Sequence, residues 1–367
     1  MSFAIGFQRF IDSAVFSPLC YATSLVKAMK KPADVRKILV VKFWALGDSV
    51  VLLPTLQALK KQFPNAELHI LAHPRNKTIF EGLTFIDKIV DFGAINILKL
   101  FRSYDICIDA EPALSVSAVI GNVASPYVVG FSHGARRHAY SETVEFNKKQ
   151  HMVQNYLDLA RKVGVKYDTK SLVPLAIPKS DQDVVSKFLK EQKIAKNDFV
   201  IGIAPGVAES VKYRMWPIEK VAAFADTVVK KHKAKIIFID AKSNKELIEK
   251  IQGMMKEKSI SAAGLFSVKQ SAALLHHCDI VVSNDSGLMH IAAAEGVKTI
   301  GLFGPNTPTL WGPYGKNNIA LIGKKAGCPY MDNTSKHLLP NQLTEDQLTC
   351  MDAISVKEVL DAVQKLK

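Results

Sequence analysis

The sequence of 367 residues lacks several features that would assign it to a class at once. It has no apolar run of the roughly 18 residues that a membrane-spanning helix needs. Its first residues lack the unbroken apolar region of a signal peptide. It also has no nucleic-acid-binding motif, no short-period repeat, and no G-x-G-x-x-G fingerprint after the first predicted strand. These absences exclude a membrane-spanning chain and a repeat protein, and they disfavour a nicotinamide-dependent dehydrogenase.

Cysteine is scarce and irregularly spaced. The five cysteines form an odd number and include no C-x-x-C pair. Cys107 and Cys278 lie in apolar surroundings typical of small buried side chains. Cys328 and Cys350 lie in an irregular C-terminal stretch where they could approach each other, but spacing alone does not establish a disulfide. A reducing compartment is the default expectation.

What the sequence has in excess is positive charge, with a formal net charge of +14. Hydrophobic residues at 48% and charged residues at 22% are ordinary globular values, and the length favours two domains. The charge predicts an anionic partner, which is a nucleic acid, an acidic membrane surface or a phosphorylated substrate. The first of these is weakened because no nucleic-acid motif is present and lysines are spread over many predicted surface helices.

The N-terminal segment combines helical apolar spacing with basic charge. Phe3, Phe7 and Phe10 fall at helical spacing, and a second apolar stripe follows Pro18. Six Lys or Arg against two Asp give residues 1–37 a net charge of +4. Two interpretations remain open, an interfacial amphipathic element on anionic lipid or a helical extension packed on the protein itself.

Apolar strands alternate with helical patterns through the rest of the chain. A stretch with two prolines, residues 174–183, separates two halves. The pattern predicts an α/β fold of two Rossmann-like doubly wound domains in series that face each other across a cleft. The main predicted strands cover residues 38–43, 67–72, 86–90, 104–109, 127–130, 199–204, 235–240, 280–282 and 299–303.

The first candidate for chemistry is Gly47-Asp48, which follows the first predicted strand. A carboxylate at the carboxyl end of a strand points into the space above the sheet, where it can take a proton from a hydroxyl group. The alternative is that Asp48 caps the N-terminus of the following helix.

The second candidate follows the predicted strand at 199–204. Lys212 and Arg214 precede Trp216-Pro217, and Pro217 fits the first position of a helix. Arginine offers phosphate a fork of donors and lysine a point charge, so this turn suits a diphosphate. A solvated basic loop is the alternative, and it fits Lys212 better than Arg214.

The third candidate lies in a βαβ unit at residues 279–305. Asp285, Ser286 and Gly287 begin a helix whose free N–H groups and small side chains suit a diphosphate. His290 lies one turn further along the same face. Because Asp285 would repel a phosphate, it is predicted to bind N–H groups or a sugar hydroxyl, and simple helix capping is the alternative.

Together these stretches resemble glycosyltransferase family 9, the bacterial ADP-heptose:lipopolysaccharide heptosyltransferases. The resemblance is carried by an ordered set of motifs from about Arg36 to the C-terminal helix, and only the first 35 or so residues fall outside it. The motifs are residues 41–49 with Leu53-Pro54, Trp216-Pro217, residues 284–290, residues 302–305 and residues 311–315.

The resemblance implies a GT-B fold and an inverting, metal-independent transfer that needs no cofactor. The donor it implies is a nucleotide-diphosphate sugar such as ADP-heptose, or one with a related sugar, and the acceptor is a lipopolysaccharide core. Asp48 would be the general base that deprotonates the acceptor hydroxyl. Arg214 stands where the family commonly has lysine, so a planar fork replaces a point charge.

The resemblance divides the remaining site residues between the two halves. The donor-binding residues are predicted in the second half: Arg214, Asp285, Ser286, Gly287 and His290 match the family's motifs, and Lys212 is added for its charge in the same turn. The acceptor-binding residues are predicted in the first half, and they are Gly47, His133, Arg136, Arg137 and His138. The last four belong to a basic loop that would face phosphates of a lipid A–core acceptor, with a solvated basic turn as the alternative.

The predicted organisation has an N-terminal extension, two domains and a final helix. Residues 1–35 form the extension, 36–176 the acceptor-binding domain, 177–350 the nucleotide-sugar-binding domain and 351–367 the helix. The expected location is the cytoplasmic side, peripheral on the anionic inner face of the cytoplasmic membrane. Two other functions stay open, an NAD-dependent oxidoreductase and a non-catalytic glycan-binding module on the same fold.

Overall fold

The computed structural model divides the chain into two compact units, Met1–Thr169 and Lys170–Lys367. The boundary lies a few residues before the one predicted at 176 and 177. The structure describes residues 11–25, 27–28, 30–331 and 343–367. The predicted stripe of Phe3, Phe7 and Phe10 lies outside the described residues, and each unit is taken by itself below.

Unit 1 contains a six-stranded parallel sheet in the order β3-β2-β1-β4-β5-β6 among its described residues. Its strands are β1 (Lys37–Lys42), β2 (Glu67–Ala72), β3 (Lys88–Asp91), β4 (Ile106–Asp109), β5 (Val128–Phe131) and β6 (Glu142–Val144). Its α-helices are α1 (Ser17–Thr23), α2 (Leu46–Gln62), α3 (Lys77–Phe80), α4 (Ala94–Lys99), α5 (Ser115–Ala124) and α6 (Met152–Lys162).

The N-terminal segment packs on unit 1 where the structure describes it. The Asp12 carboxylate accepts hydrogen bonds from the first two backbone N–H groups of α5, those of Ser115 and Val116. The Cys20 side chain on α1 is fully buried in a hydrophobic cluster of unit 1. The Lys27 ammonium donates to the carbonyl oxygen of Tyr140 at 2.7 Å. These contacts are those expected of a packed extension, although the Leu19 and Tyr21 side chains of α1 remain exposed.

Unit 2 contains a second six-stranded parallel sheet, in the order β12-β11-β10-β7-β8-β9 among its described residues. Its strands are β7 (Val200–Ala204), β8 (Lys235–Phe238), β9 (Ile260–Ser261), β10 (Ile280–Asn284), β11 (Lys298–Phe303) and β12 (Ile319–Ile322). Its α-helices are α7 (Lys179–Glu191), α8 (Ile218–His232), α9 (Lys245–Met254), α10 (Val268–Leu275), α11 (Gly287–Ala294), α12 (Pro308–Trp311), α13 (Glu345–Leu348) and α14 (Val356–Leu366).

The described part of the C-terminal region contains more regular structure than its Gly- and Pro-rich sequence predicts. Strand β12 extends the sheet beside β11 within a stretch whose sequence predicts irregular structure. Cys328 and Cys350 form a disulfide, with their Cα atoms 6.2 Å apart. Helix α14 buries Val359 and Val363 in the same cluster as the strands of unit 2. The final helix therefore belongs to unit 2 and does not form a separate segment.

In each sheet, successive strands of the chain are added first to one side and then to the other side of a central pair of strands. A ligand site is expected at this pair. In unit 1 the chain adds strands on one side of β1 and on the opposite side of β4, and these two strands are neighbours. Strands β7 and β10 are the equivalent pair in unit 2. Ligands of doubly wound sheets bind at the carboxyl ends of such a pair. Among the described residues, no helix is both long and apolar enough to span a bilayer.

Candidate functional site

Asp48 lies at the carboxyl end of β1, in the first turn of α2. This helix begins at Leu46 after Ala45, so Asp48 is not its N-cap residue. An acidic side chain in a first turn is stabilised by the partial positive charge of the helix N-terminus. The Asp48 side chain is 24% exposed, which leaves one of its faces accessible to a ligand.

Behind Asp48 lies a buried lysine that ends strand β1. The Lys42 side chain is fully buried, and its Nζ lies 3.4 Å from a carboxylate oxygen of both Asp48 and Glu111. Burial by itself would lower the pKa of Lys42, but the nearby Glu111, followed by Tyr156 and Asp48, raises it above its ordinary value. The lysine is therefore a permanent cation that faces the inner side of the Asp48 carboxylate.

Glu111 joins the two strands of the switch point. It follows β4, and its carboxylate accepts hydrogen bonds from the backbone N–H groups of Phe43 and Trp44, in the turn between β1 and α2. Asn76, which is fully buried, donates from its side-chain amide to the carbonyl of Lys42 and to the Ser49 hydroxyl. These contacts hold the turn before Asp48 from both sides. They therefore restrict the positions that the Asp48 carboxylate can take.

The basic loop predicted to contact the acceptor separates into different environments. Arg137 is exposed. The ring of His138 stacks on that of Tyr21, with centroids 4.4 Å apart. His133 bonds through its ring Nε2 to the carbonyl of Pro112, and burial, with the charge of Arg136, lowers its pKa below the ordinary value. A neutral His133 at pH 7 does not attract a phosphate by charge.

Arg136 departs most from the prediction, because its side chain is 2% exposed. Its guanidinium donates to Asp109 Oδ2 at 3.1 Å, to the Tyr140 hydroxyl at 2.8 Å and to the carbonyl of Glu111. Tyr140 donates to the same Asp109 oxygen at 2.6 Å. Arg136 thus belongs to a buried network beside Glu111 and not to a solvated loop, although its Nη1 has no partner among the described residues.

The Tyr140→Phe variant tests whether this network is structural. Removing the hydroxyl leaves Asp109 and Arg136 each with one bond fewer in a buried setting. We expect the free energy of unfolding to fall by roughly 1.5–3 kcal/mol, as for a hydrogen bond to a charged group. Urea denaturation measures this change, and Tyr21→Phe, at a ring that is 54% exposed, is the control. Equal stability of the two variants would contradict a structural role.

In unit 2 the structure brings together residues from two of the sequence candidates. Arg214 follows β7 and Asp285 follows β10, and Arg214 Nη1 lies 3.0 Å from Asp285 Oδ2. Asn306 donates to the same carboxylate oxygen at 2.9 Å. Arg214 Nη2 contacts the sulfur of Met331, and its Nε has no partner among the described residues. Asp285 therefore orients the guanidinium and does not cap the helix.

The turn after β10 leaves the N-terminus of helix α11 without a side-chain cap. Ser286 occupies the N-cap position, but its hydroxyl accepts no N–H group of the helix and lies 3.1 Å from the Ser283 hydroxyl. Gly287 is the first helical residue. His290 is 3% exposed, and its ring lies edge-on to Trp311 at 6.2 Å between centroids. The exposed N–H groups of such a helix are suited to an anion.

Asn284 links the two candidates of unit 2. Its side-chain oxygen accepts from the backbone N–H of Trp216 at 3.2 Å, and its amide donates to the carbonyl of Pro205 at 2.6 Å. The Trp216 ring is buried, and its Nε1 donates to the carbonyl of Ile354. These bonds fix the segment that carries Arg214 against the carboxyl ends of β7 and β10. Lys212, in contrast, pairs with Glu209 at the surface.

Several residues that build the two sites have no role in the sequence-based predictions. They are Lys42, Asn76, Asp109, Glu111, Tyr140, Asn306 and Met331. The detectable signal is a polar residue inside or directly after a buried strand, as with Lys42 in β1 and Glu111 after β4. Such a residue is costly to bury unless it is paired, and its presence predicts a partner. The partner itself is distant along the chain.

The geometry allows each unit one kind of chemistry. In unit 1, a partly exposed carboxylate backed by a buried cation can accept a proton from a hydroxyl group that approaches its exposed side. In unit 2, a held guanidinium and an uncapped helix N-terminus offer forked donors and backbone N–H groups to an anion such as a diphosphate.

Comparisons with known proteins support the same kind of chemistry. Residues 98–338 match the family model described as glycosyltransferase family 9 (heptosyltransferase). Lipooligosaccharide heptosyltransferase 2 of Haemophilus influenzae is 28% identical to the chain over 73% of it and 83% of the relative. Lipopolysaccharide heptosyltransferase 1 of Campylobacter coli is 26% identical over 90% of the chain and 98% of the relative. The matched family region does not include Asp48.

Solved structures show the same architecture. The crystal structure of a glycosyltransferase family 9 protein from Veillonella parvula has a TM-score of 0.77 and 23% identity, covering 91% of the chain and 98% of the other protein. The ADP-heptose lps heptosyltransferase II of E. coli has a TM-score of 0.69 and 18% identity, covering 90% and 98%. The prediction of the GT-B fold class, with two Rossmann-like doubly wound domains, is confirmed.

Proposed function

The chain belongs to glycosyltransferase family 9, the heptosyltransferase family, and we propose that it transfers a heptose from ADP-heptose to a lipopolysaccharide core. As a member of this family it is a glycosyltransferase, which removes support from the dehydrogenase and the non-catalytic module. The observation that carries the donor proposal is the contact between Arg214 and Asp285 beside the uncapped start of helix α11. The relatives named heptosyltransferases of lipopolysaccharide and lipooligosaccharide support the acceptor class.

The donor diphosphate is assigned to unit 2. Arg214 carries a positive charge and its side chain is 17% exposed, so its guanidinium can face an oxygen of the diphosphate while Asp285 holds Nη1 in place. Ser286 has a small side chain and Gly287 has none, which leaves room at the helix N-terminus for backbone N–H groups to bind the second phosphate group. As the diphosphate leaves with the nucleotide, negative charge develops on its oxygen, and these fixed donors stabilise it.

The acceptor hydroxyl is assigned to Asp48 in unit 1. The carboxylate takes the hydroxyl proton while the oxygen attacks the anomeric carbon from the side opposite the departing diphosphate, so the configuration at that carbon inverts. Lys42 lies on the inner side of the carboxylate, with its Nζ 3.4 Å from a carboxylate oxygen, and this contact helps to orient the base. Because Glu111 holds the turn before Asp48, the base does not have to reorganise before the reaction, and this increases the rate.

The same proposal includes the partners and location expected from the sequence. The acceptor is a lipid A–core oligosaccharide, Arg137 and His138 remain candidates for contact with its phosphates, and the protein acts at the anionic cytoplasmic face of the inner membrane. The transfer is proposed to need no metal ion or other cofactor, since the guanidinium and helix N–H groups supply the positive charge for the leaving diphosphate.

A transfer assay tests this function. The purified chain is mixed with ADP-heptose and lipopolysaccharide cores truncated at successive positions, in the presence and absence of EDTA, and ADP release and product mass are followed. We expect heptose transfer to one truncated core with and without EDTA. Absence of transfer with every core would overturn the substrate assignment, and loss of activity in EDTA would overturn the metal-independent reaction.

Arg214→Ala tests the donor site. Losing a charge-assisted contact to the diphosphate is expected to weaken ADP binding by roughly 1–3 kcal/mol, which is about 5- to 150-fold in Kd. Isothermal titration calorimetry with ADP measures the change. The matched control is Lys212→Ala, since that side chain is exposed and pairs with Glu209, and its affinity should change less than about threefold. Equal losses in the two variants would contradict the role of Arg214.

A further inference from the structure

Helix α4 in unit 1 is apolar on both of its faces. Its inner side carries Ile97 and is continued by Leu100, which pack in the buried cluster of unit 1. Its outer side carries Ile95 and Leu98, which are 71% and 74% exposed, and Phe101 just beyond the helix is 69% exposed. A surface helix of a soluble protein normally presents charged or polar side chains outward. The outer side of α4 therefore calls for an apolar partner.

The exposed apolar side chains form a row along the sequence. Ile95 and Leu98 are three positions apart within α4, which makes them neighbours on its surface, and Phe92 and Phe101 flank the helix at its two ends. Phe92 is the least exposed at 37%, because its ring packs against Phe43 with centroids 4.7 Å apart. We call this row the α4 face. Apolar side chains grouped at the surface in this way are typical of an interaction surface.

A second set of exposed apolar side chains lies in the same helix layer. Helices α1 and α4 both pack against α5, and Cys20 of α1 and Leu100 share one buried cluster with Leu39 and Cys107 of the sheet. Exposed apolar residues also occur in α1 and in the residues on either side of it. They are Val15, Leu19, Tyr21 and Leu25, exposed by 48%, 40%, 54% and 88%.

The charges around this layer select the kind of partner. Residues 92–104 contain Lys99 and Arg102 and no carboxylate. In residues 11–33 the only acidic residue is Asp12, whose carboxylate is engaged by the N-terminus of α5. Exposed apolar side chains flanked by cations match a bilayer surface with anionic headgroups, where both terms favour binding.

We propose that the α4 face, assisted by the exposed residues of α1, docks unit 1 on an anionic lipid bilayer. The apolar row enters the boundary between headgroups and acyl chains, and Lys99 and Arg102 contact the anionic headgroups. This places the membrane contact on a helix of the folded domain as well as on the N-terminal segment. The inference rests on the proposed function only in that a lipid-borne acceptor would be presented at such a surface.

Vesicle sedimentation tests the proposal with the full chain. Vesicles of phosphatidylcholine alone are compared with vesicles that also contain phosphatidylglycerol. We expect binding to the anionic vesicles that weakens with salt, and at least a roughly tenfold weaker partition for Ile95→Glu/Leu98→Glu, which removes the apolar burial. Lys99→Glu/Arg102→Glu should reduce the preference for anionic over neutral vesicles. Leu265→Glu/Met254→Glu, at exposed apolar positions of unit 2, is the matched control and should bind like the unaltered chain.

The outcomes separate this proposal from its rivals and from the proposed function. Circular dichroism and sedimentation velocity on each variant establish that it is folded and report its oligomeric state. Absence of binding to anionic vesicles, or equal binding of the Ile95→Glu/Leu98→Glu variant, would overturn the proposal. The proposal would also be overturned if the unaltered chain is a dimer and the Ile95→Glu/Leu98→Glu variant is a monomer with unchanged vesicle binding. In that case a second copy of the chain covers the α4 face. Transfer to a deacylated, water-soluble acceptor should be unchanged in this variant. Vesicle binding without any transfer activity would count against the proposed function alone.

Discussion

Replacing Asp48 by asparagine is expected to lower the rate of sugar transfer by roughly 10²–10⁴-fold, the range of general base catalysis. Asparagine has nearly the same shape and keeps the turn between β1 and α2, but it cannot accept the acceptor proton. The residues proposed to bind the diphosphate lie in unit 2, so the affinity for ADP should stay within about twofold. ADP release at saturating substrates measures the rate, and calorimetry measures the affinity.

The control for Asp48 is a carboxylate elsewhere in the same unit. Asp87 pairs with Lys60 at the surface and accepts from the backbone N–H of Leu68, so Asp87→Asn removes one carboxylate from unit 1 and leaves the turn before α2 unaltered. Its transfer rate should equal that of the unaltered chain. A rate for Asp48→Asn within about threefold of the unaltered chain would remove Asp48 from the base assignment.

Replacing Lys42 by methionine is expected to reduce the free energy of unfolding by about 3–5 kcal/mol, because it leaves the buried Glu111 carboxylate without its cation. The side chains are of similar length, so the loss reflects charge more than volume. Urea denaturation measures it. The double variant Lys42→Met/Glu111→Gln should recover part of the loss, since no buried charge is then left unpaired.

A second lysine of the same strand is the matched control for Lys42. Lys37 also lies in β1, but its partner Glu67 is at the surface and both side chains are about half exposed. Lys37→Met should therefore change the free energy of unfolding by less than about 1 kcal/mol. If Lys42→Met retains the full stability, the buried pair with Glu111 does not form. If its transfer rate also falls while ADP affinity is kept, Lys42 acts on the reaction as a positioning residue through Asp48.

The periodic pattern of the sequence is sufficient for the fold class and for the place of the candidate sites. Apolar strands alternate with helices, and parallel sheets bind ligands where their strands end. Asp48, Arg214 and Asp285 each directly follow a strand or the loop after it, so their candidacy depends on local order alone. Strands β6, β9 and β12 escape prediction because these edge strands are short and only partly buried, which weakens their apolar signal.

The structure alters those predictions that depend on which side chains meet. Arg136 belongs to a run of basic residues that resembles a solvated loop, yet it is buried against Asp109 and Tyr140. Asp285 is predicted to bind N–H groups or a sugar hydroxyl, with helix capping as the alternative, and the structure shows that its partner is the remote Arg214. A local sequence pattern reports the charge of a residue and not the partner that compensates it.

The sequence by itself determined the alternating α/β order, the positions of polar residues at strand ends and the excess of positive charge, because each is a property of neighbouring residues. Only the tertiary structure decided that Lys42 meets Glu111, that Cys328 pairs with Cys350, and that one apolar side of α4 is covered while the other is exposed. The physical reason is distance along the chain. Helical spacing shows that a helix has apolar sides, but which of them is buried depends on strands and helices contributed by remote segments.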